Sequence, residues 1–486
     1  MILLMIFTIL LPIVMACLWR WLRLEGEALH KASFLTIAVS AALAALCALV
    51  PNMPEVSLRW TDMLAFSLRV DGVSRIWLLL LAVIWPGVGL YAQEYLEHDE
   101  NPGRFFLFYT ITQGILHALA MAGNLVTYYM FYEAMTLLTV PLVLHNRDKE
   151  AVAAAIKYLI YSVIGASAAL IGIFFIGAIG GNGDFVSGLV TAEQIAGKEG
   201  FAMAIFLTML IGFGVKAGMF PLHGWLPTAH PVAPAPASAV LSGVITKMGV
   251  LGIVRVLFNI AGAERIRGTW VQYTMLGLTL TTILMGSLLA LKEKKLKKRL
   301  AYSSVSQVSY VLFGLFTLTE WGFVGAMLHV IFHSLMKNTL FMAAGSIIHK
   351  TGKTRVEEME GLGKRMPWTY AFFTVASLGL VGIPPTGGFI SKWNLAQGAL
   401  ATGLSYSWIG PTVLLISAVL TAGYLFTVVI KGCFPGEGVK PEPSCEAGWK
   451  MLVPMGVYAA LIVLLGCLCF SQIPPLRFAL APLRSG

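Results

Sequence analysis

The sequence predicts an all-α polytopic membrane protein with about fourteen transmembrane helices. Of its 486 residues, 57% are hydrophobic and only 12% are charged, and the mean hydropathy is +0.79. The apolar residues fall in repeated runs of about 20, the length that crosses a hydrocarbon core of about 30 Å as a helix. A membrane β-barrel would instead show alternating segments of about 10 residues.

The apolar runs divide the chain into successive membrane segments. We predict them at roughly 2–22, 30–50, 73–93, 104–122, 124–145, 152–178, 201–229, 233–258, 270–290, 300–318, 320–349, 368–397, 408–431 and 450–470. The first segment is expected to be a retained helix, because it lacks a basic leader and is followed by Trp19, Arg20 and Trp21. The polar connections are too short to fold alone, so residues 1–486 are expected to form a single membrane domain.

The charge pattern indicates orientation. The formal net charge is +10, and most basic residues fall in alternate connections, such as the run Lys292–Arg299. The positive-inside rule then places these connections in the cytoplasm and both termini outside an inner, cytoplasmic membrane. The excess charge is a topology signal, and we expect no nucleic-acid partner.

The sequence offers no obvious cofactor site. Its six cysteines are Cys17, Cys47, Cys433, Cys445, Cys467 and Cys469. They form no CxxC pair, so a metal site or a disulfide framework is not expected. No glycine-rich phosphate loop follows a strand pattern. We therefore expect no cofactor, no metal and no redox centre in this chain.

Prolines interrupt two of the predicted helices. Segment 201–229 contains Phe220-Pro221 and Leu226-Pro227, and segment 368–397 contains Gly382-Ile383-Pro384-Pro385. Proline removes a backbone donor, and the freed groups must be satisfied by protein or by water in a cavity. Paired broken helices mark the ion path of many transporters. A simple packing kink is the alternative interpretation.

Four ionisable residues lie deep inside apolar segments: Glu133, Lys216, Lys247 and Lys392. A charge at the bilayer centre costs about 2.5–3.5 kcal/mol on insertion scales, and such residues usually mark ion or proton paths. An isolated buried ion tends toward its neutral form, so the distance from Glu133 would control the protonation of Lys216. The alternatives are a Glu133 that only hydrogen-bonds a neighbouring helix, a static ion pair through Lys216 that fixes two helices, and snorkelling for Lys247.

Five further residues are candidates for a proton relay. His329, His333 and Lys337 follow one another at i, i+4 and i+8 on one helix face. A purely structural hydrogen-bonded pair, or a metal-binding pair, is the alternative for the histidines. His223 and His230 flank the first helix break and would serve its entrance. A polar stripe that carries water or merely joins helices is formed by Ser303, Ser304, Ser306, Gln307 and Ser309.

Four motifs in order resemble those of the antiporter-like subunit family. They are Lys216–His230 (KAGMFPLHGWLPTAH), Lys298–Gln307 (KRLAYSSVSQ), His329–Lys337 (HVIFHSLMK) and Gly382–Lys392 (GIPPTGGFISK). The family comprises the L, M and N subunits of respiratory complex I, the A and D subunits of Mrp-type cation/proton antiporters, and subunits of membrane-bound group 4 hydrogenases. Because the chain ends at Gly486, it resembles the M, N, Mrp D and hydrogenase types more than the longer subunits.

The resemblance implies a fold of fourteen helices with two inverted five-helix repeats, in which helices 7 and 12 are broken. Helices 1–3 would occupy residues 1–100, the first repeat 104–258, the second repeat 270–431, and helix 14 residues 450–470. The family's acid on helix 5 would be Glu133, and its lysines on helices 7, 8 and 12 would be Lys216, Lys247 and Lys392. Protons would enter near helices 7 and 8, cross through Lys247 and the two histidines, and leave by Lys392.

These features predict a proton-translocating subunit of a hetero-oligomeric membrane complex that includes further antiporter-like subunits. Energy would come from a redox partner or from another ion's gradient, and the sequence leaves open whether Na⁺ moves as well as H⁺. We expect the opening and closing of a Glu133–Lys216 pair to drive the proton onward. A stand-alone secondary transporter of a small solute, and a scaffold subunit that does not pump or that contributes a quinone site, are the alternative functions.

Overall fold

The computed structural model describes residues 1–61, 64–186, 188–436 and 443–470. For residues 469 and 470 it describes the backbone only. Its first half contains α1 (Ile2–Trp21), α2 (Gly26–Leu49), strands β1 (Val56–Arg59) and β2 (Ala65–Leu68), α3 (Gly72–Tyr95), α4 (Pro102–Ala120), α5 (Leu125–Val143), α6 (Lys149–Ala178), α7 (Glu199–Ala217) and α8 (Leu226–Val232). The continuous helical segment Ala235–Ala261 follows and is called α9.

The second half continues with α10 (Ala263–Ile266), α11 (Trp270–Lys292), α12 (Leu296–Phe316), α13 (Glu320–Thr351), α14 (Leu362–Arg365), α15 (Pro367–Val381), α16 (Gly387–Leu400), α17 (Ile409–Cys433) and α18 (Trp449–Phe470). Short 3₁₀ turns occupy Glu193–Ile195 and Val356–Met359. The helices pack against one another throughout, so the all-α class predicted for the membrane region is confirmed.

Fewer helices meet the length and hydropathy of a membrane crossing than the sequence predicts. In the part of the chain that the structure describes, nine helices are long and apolar enough to cross a membrane. The predicted count of fourteen therefore stays a prediction, as do the residue limits of the two repeats. The prediction did not include the hairpin of β1 and β2, which pairs antiparallel from Val56 with Leu68 to Arg59 with Ala65. The hairpin lies just before α3, and its strand β2 packs against the start of α5.

Both predicted helix breaks are present. Helix α7 ends at Ala217, and Gly218 follows with a φ of +80°. Helix α15 ends at Val381, and Gly382 follows with a φ of +93°. Both φ values lie in the left-handed region, where glycine alone avoids a steric penalty. Each glycine therefore stops one half-helix, and the chain resumes as α8 or α16 after an irregular turn.

Two helices form the centre of the bundle. Helix α9 is the most enclosed, since its most apolar 18-residue window is completely buried. It contains two π-helical stretches, Leu241–Ile245 and Arg255–Ala261, on either side of a regular section. Helix α13 is 32 residues long and packs against both α9 and α16. The predicted Lys247 and the histidine ladder therefore lie on neighbouring, fully enclosed helices.

Candidate functional site

Lys216 occupies the last turn of α7 and lies in a pocket of hydroxyl groups. Its side chain is 1% exposed. Nζ donates hydrogen bonds of 2.9 Å to Thr136 Oγ1, Tyr158 Oη and Ser162 Oγ, and lies 4.4 Å from the centroid of the Tyr158 ring. A hydroxyl can either donate or accept. The pocket can therefore satisfy Lys216 both as an ammonium ion and as a neutral amine.

The hydroxyl pocket was not among the residues predicted from the sequence. Its members come from α5 and α6, and Thr139 extends it by a 2.6 Å contact with Tyr158 Oη. Thr136 and Thr139 are three residues apart and Tyr158 and Ser162 are four apart, which places each pair on one helix face. That spacing was the available signal. It is weak by itself, because serine and threonine also occur in membrane helices as simple packing residues.

Glu133 lies near Lys216 but is not bonded to it. The Glu133 side chain is half-buried on the surface of α5, and its Oε1 has no hydrogen-bond partner among the described residues. The two side chains are close enough to interact electrostatically. However, the ion pairs within 4.0 Å in the described residues do not include this one. Glu133 and Lys216, which the sequence predicts as a pair, therefore do not form an ion pair in this structure.

Lys247 is completely buried in α9, beside the first π-helical stretch. Its Nζ donates to the carbonyl oxygen of Ser242 at 2.5 Å and to Thr246 Oγ1 at 3.4 Å. A π-helical turn changes the i→i+4 hydrogen-bond pattern of a helix and often occurs at functional sites. The backbone here supplies the acceptor for the Lys247 side chain. Snorkelling is excluded as an account of Lys247, because the amine stays in the interior.

The ladder on α13 continues from α9 toward the second break. The rings of His329 and His333 are stacked with centroids 5.7 Å apart. His329 Nδ1 contacts Ser391 Oγ at 2.9 Å and Nε2 contacts Gln307 Oε1 at 3.2 Å. In contrast, both ring nitrogens of His333 lack a partner within the described part of the chain. His333 lies within electrostatic range of the buried lysines Lys247, Lys337 and Lys392.

The serine stripe on α12 joins this ladder to its neighbours. Lys337 Nζ donates to the Leu300 carbonyl oxygen at 2.9 Å and also to Ser303 Oγ. Ser304 Oγ contacts Ser242 Oγ of α9 at 2.6 Å. The stripe therefore connects α9, α12 and α13 by hydroxyl groups, as expected of a polar path, although the same bonds also hold the helices together.

Lys392 is at the second break, but not in the position equivalent to Lys216. Lys216 precedes its break, whereas Lys392 follows the break and reaches back across it. Its Nζ donates to the carbonyl oxygens of Leu380 at 2.6 Å and Val381 at 3.0 Å, the last residues of α15. Nζ also lies 4.9 Å from the centroid of Tyr310. A cation is favoured at a helix C-terminus, so the half-helix created by the break itself binds this amine.

The two histidines at the first break differ in accessibility. His230 is fully buried in α8 and stacked on Phe341 at a centroid distance of 4.7 Å, and neither ring nitrogen has a partner in the described ranges. His223 is half-buried, and its Nδ1 has no partner among the described residues. A crevice of about 380 Å³ opens beside α8 at the molecular surface, and its walls include Asn146, Pro231 and Lys297. His230 thus lies just beneath a surface opening.

Comparisons with known proteins identify relatives of this chain. The family model described as "NADH:quinone oxidoreductase/Mrp antiporter, TM" matches residues 122–421. NADH-quinone oxidoreductase subunit N of Desulforudis audaxviator is 32% identical over 84% of this chain and 83% of its own length. Hydrogenase-4 component B of Escherichia coli is 32% identical over 82% of this chain, which spans 62% of that relative.

The fold is also that of a solved structure. A chain in the structure of the Mrp complex from Dietzia sp. superposes with a TM-score of 0.84 at 19% identity, and the match covers 99% of this chain and 97% of the other. The likeness therefore extends over the whole bundle, including both broken helices.

Proposed function

Because the chain belongs to the NADH:quinone oxidoreductase/Mrp antiporter transmembrane family, we propose that it is a proton-translocating subunit of a multisubunit membrane complex. One observation carries the proposal. The amines of Lys216, Lys247 and Lys392 lie inside the bundle, where hydroxyl groups and backbone carbonyls bind them. The α13 ladder lies between the last two lysines, and both ring nitrogens of its His333 have no partner among the described residues. Ionisable groups at membrane depth are costly and usually mark ion or proton paths.

The proposed path runs along the membrane plane through both halves of the bundle. A proton enters beside His223 and His230 and reaches the Lys216 and Lys247 region. It then crosses to the ladder of α13 and leaves through Lys392 at the second break. Each amine has partners suited to its role, since the Lys216 pocket accepts both protonation states and the Lys392 site has acceptors only.

Glu133 would couple this path to a neighbouring subunit. A half-buried carboxylate on the outer surface of α5 is expensive in contact with lipid, so we infer that another membrane subunit covers it. A conformational or charge change at that boundary would move Glu133 toward Lys216 or away from it. The approach of the carboxylate favours the ammonium form, and its withdrawal releases the proton.

The proposed setting is the inner, cytoplasmic membrane with both termini outside, and the driving energy comes from the partner subunits through redox chemistry or a cation gradient. The related proteins named above include an oxidoreductase subunit and a hydrogenase component, which fit this setting.

The test uses Lys216→Arg and Lys216→Ala in the assembled complex, reconstituted into vesicles. Arginine keeps the positive charge but does not release its proton. Both variants are therefore expected to abolish proton pumping, measured with a pH-sensitive dye, while the driving reaction continues. Lys292→Ala, which removes an exposed lysine at the end of α11, is the control and should pump normally.

Normal pumping by Lys216→Arg in a correctly assembled complex would refute the proposed role of Lys216. Unaffected pumping after substitution of Glu133, Lys216, Lys247 and Lys392 together would instead favour a scaffold subunit. Transport of a small solute by the isolated chain would favour the stand-alone carrier.

A further inference from the structure

Helix α9 contains a second charged residue, Arg255. Unlike Lys247, it has no role in the path described above. It follows Lys247 by eight residues, or about 12 Å along a helix at 1.5 Å per residue, toward the end of α9 at Ala261. Its side chain is 2% exposed. In the proposed topology this end of α9 faces the outside, so Arg255 lies between Lys247 and the outer surface.

The guanidinium of Arg255 is fixed from several directions. It binds the carboxylate of Asp71 with two nitrogens, one of them 3.0 Å from Oδ1, and also donates to Ser74 Oγ at 3.0 Å. Asn259 Oδ1 lies 3.4 Å away, and the Phe185 ring centroid lies 4.8 Å from the guanidinium carbon. A bidentate pair of this kind is geometrically rigid, so the cation cannot swing aside.

The Arg255 cluster keeps a positive charge despite its carboxylate. Arg69 is 3.6 Å from the same Asp71 and donates to the carbonyl oxygen of Phe185. One carboxylate therefore neutralises only one of two guanidinium groups. Burial disfavours the charged carboxylate, but the charge of Arg255 outweighs it and holds the pKa of Asp71 well below its usual range. Asp71 therefore accepts from the guanidinium groups as a carboxylate.

Loop residues on either side of position 187 pack on the end of α9 near this cluster. Leu189 and Val190 donate their backbone N–H groups to the carbonyl oxygens of Asn259 and Ile260 at 2.9 and 3.1 Å. These carbonyls belong to the second π-helical stretch of α9. Phe185, at the start of the same loop, is 1% exposed. The loop therefore covers the end of α9 directly above Arg255.

The corresponding end of the second half is open. A cavity of about 360 Å³ lies between the first turns of α11 and α17 and the last turns of α12 and α16, with Tyr273, Thr317 and Ala399 in its walls. The same face of the molecule is thus closed by a cation over the first half and indented over the second.

We propose that Arg255, fixed by Asp71, is a charge barrier that stops protons on Lys247 from escaping to the outside. This inference rests on the proposed proton path. A guanidinium does not deprotonate and cannot pass a proton on. One net positive charge at about 12 Å, in an effective dielectric constant of about 20, disfavours a second charge about tenfold, and more at closer approach. Fixed arginines exclude protons from other membrane pores.

The experiment measures passive proton leak in vesicles that contain the assembled complex, with a pH gradient imposed and no driving reaction. Arg255→Gln removes the barrier charge, whereas Asp71→Asn breaks the same ion pair but keeps that charge. The leak is expected to rise about tenfold in Arg255→Gln and to stay at or below the wild-type level in Asp71→Asn, where the cluster gains one uncompensated positive charge. Arg265→Gln, which removes a charge on the same face, should also stay at the wild-type level.

Two further sets of variants separate the barrier charge from protein assembly and from the leak route. If Arg255→Gln does not assemble, the double variant Asp71→Asn/Arg255→Gln is compared with Asp71→Asn, from which it differs only in the barrier charge. Adding Lys247→Met should remove the extra leak, because the leak runs through Lys247. An equal leak in Asp71→Asn and Arg255→Gln, or no extra leak in either R255Q variant, would overturn the barrier. Failure of the wild-type complex to pump would overturn the proton path instead.

Discussion

Gly249 sets the distance between α9 and α7 at the height of Lys216, and Gly249→Ala is expected to disturb both stability and transport. A Cβ at this position would lie 2.6 Å from the carbonyl oxygen of Phe213, 2.8 Å from the backbone nitrogen of Ala217 and 3.1 Å from the Cβ of Lys216. Non-bonded atoms in proteins ordinarily approach to about 3.5–4.0 Å. Two of the three contacted atoms are backbone, so the conflict is not relieved by a side-chain rotation.

The two backbone atoms, Phe213 O and Ala217 N, belong to the turn that carries Lys216. In an α-helix the N–H of residue 217 donates to the carbonyl oxygen of residue 213, so the added methyl group would press on this hydrogen bond. Overpacking of this kind costs about 1–3 kcal/mol, which corresponds to a fall of a few degrees in melting temperature. Because the displaced turn moves Nζ of Lys216 relative to its 2.9 Å hydroxyl partners, proton transport should fall in complexes that are still folded.

The assay combines thermal unfolding of the purified complex with pumping at a temperature well below unfolding. Gly277→Ala is the matched control, because Gly277 lies in exposed α11 with no atom within 4 Å of the added methyl group. It should be neutral or stabilise by up to about 1 kcal/mol through helix propensity. If Gly249→Ala melts and pumps like Gly277→Ala, the inferred close packing of α7 on α9 is wrong.

Three further variants test individual side chains. Tyr158→Phe keeps the ring above Lys216 but removes its hydroxyl, so transport should fall at least about tenfold, the equivalent of one hydrogen bond to a charged group, and unchanged transport would contradict the hydroxyl pocket. Lys392→Arg keeps a cation near the carbonyls of α15, so assembly should survive while pumping, measured in vesicles, is lost; normal pumping would exclude proton release there. Burial lowers the pKa of His145, although Asp99 at 3.0 Å opposes this; the unfolded chain therefore binds the proton first, and stability should be lost as pH falls from about 6.5. His145→Gln should weaken this decline in melting curves, and an identical decline would contradict the assignment.

Much of the candidate site could be predicted from the sequence, because an ionisable residue in an apolar run is conspicuous. Glu133, Lys216, Lys247 and Lys392 were identified in this way, and the structure places all of them in one bundle. The partners of Lys216 could not be predicted, since Thr136 and Ser162 resemble ordinary packing residues until α5, α6 and α7 are brought together.

The position of Lys392 shows a second limit of sequence reasoning. Its distance from the break was evident, but the direction in which its amine points depends on how α16 packs against the end of α15. Similarly, the sequence suggested a Glu133–Lys216 pair from charge alone. Whether the two side chains touch depends on their rotamers and on the neighbouring subunit proposed to cover Glu133. The sequence of one chain contains neither.

The sequence by itself determined that this protein is a helical membrane protein, which of its helices are broken and which buried charges need an explanation. Hydrophobic run length, proline and glycine act locally, so these properties follow from residues close together along the chain. Only the tertiary structure decided which groups share a proton site, which carbonyl oxygen accepts from Lys247, and how Asp71 meets Arg255 across 184 positions. Those contacts arise from the packing of distant helices, which no local pattern specifies.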